Sequence, residues 1–147
     1  MTTTATTWLD RLAIGARNPL ATISALIYRG NNISSVEKIA RLNGIPPGQG
    51  GTNSLAHALT SAWTTLQYGS EPAREVGIGK ELETYIKDVA AGNQWDIYKD
   101  LWNNNVGRQI GEFGCAQNLN ADQVTDLVLD AFFSGKIIVS RTDVRID

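Results

Sequence analysis

The chain has 147 residues, 42% hydrophobic and 19% charged, with a formal net charge of −2. That is the size of one domain with a core of ordinary volume. The charge balance excludes a broad electrostatic footprint for nucleic acid. A single cysteine, Cys115, excludes an internal disulfide and any dependence on an oxidising compartment.

Residues 1–6, a Thr/Ala run, read as a flexible tail, and residues 7–147 as a single helical domain. The start of the chain lacks the basic region and long apolar stretch of a signal peptide. The longest apolar-leaning run, PLATISALIY, is too short to span a bilayer, so no membrane span is expected. The expectation is a protein made in the cytoplasm, with export by a leaderless route left open.

Thr7 can cap a short helix that carries Trp8, Leu12 and Ala16. RNPL restarts the chain: Asn18 is a cap, Pro19 takes the first helical position, and Leu20, Ile23 and Ile27 share a face up to Gly30. In SSVEKIARLNG, Ser34 and Glu37 have capping-box spacing and Gly44 is a stop. The run IPPGQGGTNS is a loop by its prolines and glycines.

NSLAHALTSAWTTLQY then places Leu55, Leu59, Ala62 and Leu66 on one stripe. Pro72 opens a further helix to Ala91, with Gly77 and Gly79 marking a kink or a very close contact. Near the end, Val124, Leu127, Val128, Ala131 and Phe132 make the clearest helix, with Asn120 and Gln123 as a capping box and Gly135 as the stop. KIIVS, residues 136–140, reads as a short strand paired with the region 31–33. The fold class is therefore mainly α: a compact domain of about six helices with a short C-terminal β-strand or hairpin.

One stretch is in conflict with itself. From Trp95 to Phe113, the residues Trp95, Tyr98, Trp102, Val106, Ile110 and Phe113 form an apolar stripe at helical spacing. The opposite side collects Asp96, Asp100, Asn103, Asn104, Gly107 and Gly111, with Arg108 at its edge. The run of three asparagines, 103–105, together with Gly107 costs about 3 kcal/mol of helix propensity against alanine. Three accounts stay open: the helix ends near Asn103 in a turn, the amides form a structural polar network, or the face is the wall of a site.

The lone histidine, His57, follows the Gly-rich loop and points away from the leucine stripe, with Ser54, Ser61 and Thr64 on its face. Near a helix start, the dipole favours neutral imidazole, which suits a general base. One His and one Cys make a zinc site improbable, so no metal or other cofactor is expected. Cys115 is expected to be a small buried thiol rather than a nucleophile paired with His57.

The order GGTNSLAHALTSAW, DLWNNNVGR, VLDAFFSGKIIV resembles an uncharacterised domain at the C-terminal ends of RHS-type and other polymorphic bacterial toxins. The likeness covers about the last 100 residues. It marks His57, Asp100, Asn103, Asn104, Gly107 and Arg108. Ala56 stands where that family often has a basic residue, and Trp102 where a second histidine is common. The resemblance implies bacterial antagonism, with an immunity or carrier protein as partner. The expectation is a toxin or effector domain with hydrolase-type chemistry: His57 as base, Asp100 orienting it or acting as acid, and Asn103, Asn104 and Arg108 holding substrate. A cell-envelope polymer is the first substrate class. A ribonuclease and a non-enzymatic protein-binding or structural module are the alternatives.

Overall fold

The structure is a computed structural model that describes residues 35–46, 50–77 and 94–140. The expected tail, the two helices before Gly30, the Ser34 cap, the region 31–33 and the continuation of the Pro72 helix to Ala91 lie outside these residues. The described part is mainly helical. It contains α1 (residues 35–42), α2 (Gly50–Tyr68), α3 (residues 70–77), α4 (Gln94–Ala116) and α5 (Ala121–Phe133). Among the described residues, no helix is long and apolar enough to cross a membrane.

The ends of these helices follow local chemistry. Gly44 closes α1 with a φ of +73°, and the Ile45 N–H returns to the Ala40 carbonyl. Only glycine takes that left-handed turn without strain. Asn120 caps α5 as its sequence predicts: its side-chain oxygen accepts from the Gln123 N–H at 2.9 Å, and Gln123 Oε1 accepts from the Asn120 N–H at 3.0 Å. Both orphan donors at that end are thereby satisfied.

Two starts differ from the pattern. α2 begins at Gly50, before the expected Asn53; a Cβ at position 50 would meet the Val139 carbonyl and one at 51 the side chains of Ile45 and Phe132. The glycines that look like loop residues are helical residues under close packing. Likewise α3 starts two residues before Pro72, leaving the proline in its first turn, where its missing N–H costs nothing.

Leu55, Leu59, Val124 and Val128 belong to one buried core with Val36 and Ala40 of α1 and with Ile137. α2 lies most extensively against α4 and also meets α5. Full burial of each of these aliphatic side chains contributes about 1.5–3 kcal/mol.

Residues 136–140 do not form the expected strand: no strand occurs among the described residues. A side chain of α4 holds the segment at Ile138. Asn103 Nδ2 donates to the Ile138 carbonyl and Asn103 Oδ1 accepts from the Ile138 N–H, both at 2.9 Å. One carboxamide thus satisfies both backbone groups of Ile138.

Candidate functional site

The helix does not break at the asparagines. α4 runs unbroken from Gln94 to Ala116, so the turn account of NNNVG fails. The side of α4 that carries Asp100, Asn104, Gly107 and Gly111 faces α2, and the three asparagines then have three different roles.

Asn103 is fully buried and clamps Ile138. Asn104 is buried against α2: its Oδ1 lies 3.1 Å from His57 Nδ1, and its backbone carbonyl accepts from Ser61 Oγ at 2.7 Å. A Cβ on Gly77 would stand 3.1 Å from the Asn104 amide nitrogen, so α3 closes over the same amide. Asn105 is exposed and accepts from Arg108 Nη2 at 3.1 Å.

Close approach of α2 and α4 makes this possible. A Cβ at Gly107 would run into the Ala58 carbonyl, and one at Gly111 would lie 2.7 Å from the Ala62 carbonyl and 2.6 Å from Thr65 Cβ. Glycine at these two positions lets the helix backbones meet where side chains of Ala, Ser and Thr line α2. At that separation a short amide and an imidazole can span the gap.

His57 Nε2 lies 3.3 Å from Asp100 Oδ2, completing a chain Asn104–His57–Asp100 across the two helices. The imidazole side chain is 4% exposed and the carboxylate 17%. Asp100 is therefore the member nearer the surface, and His57 sits beneath it.

Both ring nitrogens face oxygen acceptors, and the ring donates on both sides only when both nitrogens carry protons. α2 begins at Gly50, so His57 lies about two turns in rather than in the first turn, where the terminal dipole acts.

The structure thus brings His57, Asp100 and Asn104 together from segments more than 40 residues apart, while Asn103 serves the C-terminal segment. Arg108 is held at Asn105. Burial and then Arg74 pull its pKa below the ordinary arginine value, with Glu112 and Glu71 acting in the opposite sense. Cys115 is exposed rather than buried, and its Sγ lies 3.6 and 3.5 Å from the carbonyls of Thr65 and Leu66, about two turns along α2 from His57. Among the described residues, no three His, Cys, Asp or Glu side chains converge as a metal site.

Sequence reasoning placed Ser61 on the face of His57 by its i+4 spacing and marked Gly77 as a kink or close contact, without naming Asn104 as its neighbour. It missed Ile138, which no local signal marks. Comparison with family models, curated proteins and solved structures yields no match for this chain.

Proposed function

We propose that this protein is a small helical effector domain with hydrolase-type acid/base chemistry centred on His57 and Asp100. The observation that carries this reading is the imidazole held between a carboxylate and an amide across α2 and α4. A His–Asp couple shares one proton between Nε2 and Oδ2. Asp100, the more exposed partner, can take a proton from an attacking water, and the couple can return one to the leaving group. Asn104 fixes the ring on its other side and so orients the pair.

The substrate class that fits best is a cell-envelope polymer, because the net charge of −2 works against binding a polyanion. An immunity or carrier protein and leaderless export belong to the same reading, through the toxin resemblance. The experiment is expression of the wild type, His57→Ala and Asp100→Asn in bacterial cytoplasm and, separately, in periplasm, with thermal unfolding of each purified protein. Growth inhibition by the wild type alone, with both variants still folded, is the expected result. Wild type harmless in both compartments, or variants as harmful as wild type, overturns it.

A second reading is favoured by a different observation. The asparagine side of α4 is buried inside the domain, with Asn103 and Asn104 both out of solvent. In that reading the His–Asp–Asn chain is internal packing and the protein is a non-enzymatic binding or structural module. Loss of folding in both variants, with a harmless wild type, is the outcome that selects it.

A further inference from the structure

The side of α4 turned away from His57 holds an apolar groove that the proposed chemistry does not use. It has a volume of about 730 Å³ and runs between α4 and α5. Trp102, Val106, Ile110 and Phe113 form one wall and Leu127 part of the other. Phe113 is 52% exposed. A helix stripe that periodicity assigns to the core is therefore partly uncovered, while the polar side of the same helix is packed inside. From Trp102 to Phe113 the wall is about 17 Å long, three helical turns.

The α5 rim is acidic. Asp122, Asp126 and Asp130 stand four residues apart along α5, all exposed, and Asp130 borders the groove itself. The α4 edge offers uncharged Gln109, and Lys136 lies at the Trp102 end. The indole of Trp102 is fixed there by donating to the Lys136 carbonyl at 2.9 Å, so this end of the wall is rigid. α4 and α5 are joined by the short segment 117–120, so the acidic ridge follows α5 away from the Phe113 end, and Asp130 borders the groove together with Lys136.

We infer that this groove receives an amphipathic helix of about three turns from a partner protein, apolar on one side and carrying Lys or Arg on the flank that meets Asp126 and Asp130. Apolar anchors spaced i, i+3, i+4, i+7 fill the groove between α4 and α5. The acidic ridge favours basic flanks and rejects helices with acidic ones. The inference goes beyond the His57 chemistry and does not depend on it, since it uses the other side of α4.

The test uses the full chain and three synthetic 14-residue helical peptides: leucines at the anchor spacing with a lysine flank, the same with a glutamate flank, and a scrambled lysine peptide. Binding is measured by calorimetry. The lysine peptide is expected to bind at least about tenfold more tightly than the glutamate peptide, the size that two exposed ion pairs turned into repulsions supply. In the Asp126→Lys/Asp130→Lys double variant the preference reverses. Phe113→Glu, at an exposed position, abolishes binding without unfolding the protein. Equal binding of the lysine and glutamate peptides, binding of the scrambled peptide, or no binding at all overturns the proposal. So does a dimer in sedimentation that Phe113→Glu dissolves, because the occupant would then be a second copy of the chain.

Discussion

Three adjacent asparagines on one helix separate cleanly by what each amide touches. Asn103 satisfies both backbone groups of Ile138 from a fully buried position. Truncation to alanine orphans a buried N–H and a buried carbonyl, each worth about 1–3 kcal/mol. Asn103→Ala is therefore expected to lower unfolding stability by about 3 kcal/mol, or roughly 6–12 °C in Tm. Asn105 is exposed and loses only one surface hydrogen bond to Arg108, while alanine recovers about 0.6 kcal/mol of helix propensity. Asn105→Ala should leave stability within about 0.5 kcal/mol of wild type. Urea unfolding of the two variants side by side checks both values. Equal losses would mean that the clamp on Ile138 contributes little.

For a whole helix, what mattered in α4 was how near its neighbour could come, and that is where the sequence was hardest to read. Its apolar stripe has the right period for a core, and Val106 and Ile110 do pack against the core. Its polar side is nevertheless the more deeply buried. Periodicity counts apolar side chains. It does not register that Gly107 and Gly111 remove the side chains that would hold α2 away.

Signals confined to one turn were legible: the Asn120–Gln123 box and the stops at Gly44 and Gly135 stand where spacing put them. The strand expected of KIIVS does not form among the described residues, and the hold on Ile138 by a side chain 35 residues earlier was not legible. The packing argument predicts a sign. On an open helix surface Gly→Ala stabilises by about 1 kcal/mol. At Gly107 the new Cβ meets the Ala58 backbone, which has nowhere to move, and overpacking of this kind costs about 1–3 kcal/mol or more. Gly107→Ala should therefore be net destabilising by about 2 kcal/mol in thermal or urea unfolding. A stabilised variant would show that α2 and α4 do not pack this closely.

Across the molecule, α4 holds two unlike sites back to back: a polar chain against α2 and an apolar groove beside α5. The candidate residues His57, Asp100 and Asn104 were legible as types, because a lone histidine and a costly polar helix face both ask for an explanation. That they meet was not legible, since α2 and α4 come together only through tertiary packing. If the two sites are separate, their energies add. His57→Ala removes the ring between two buried acceptors and should cost about 3 kcal/mol. Phe113→Glu changes an exposed side chain and should stay within about 0.5 kcal/mol of wild type. Position 113 lies nine residues beyond Asn104 on the same helix, about 13 Å along its axis. The double variant should accordingly equal the sum of the single variants within about 0.5 kcal/mol, measured by urea unfolding. A coupling above about 1 kcal/mol would mean that α4 shifts as a rigid rod between its neighbours. Occupation of the groove would then move Asp100 relative to His57, and a partner helix would reach the acid/base pair through α4.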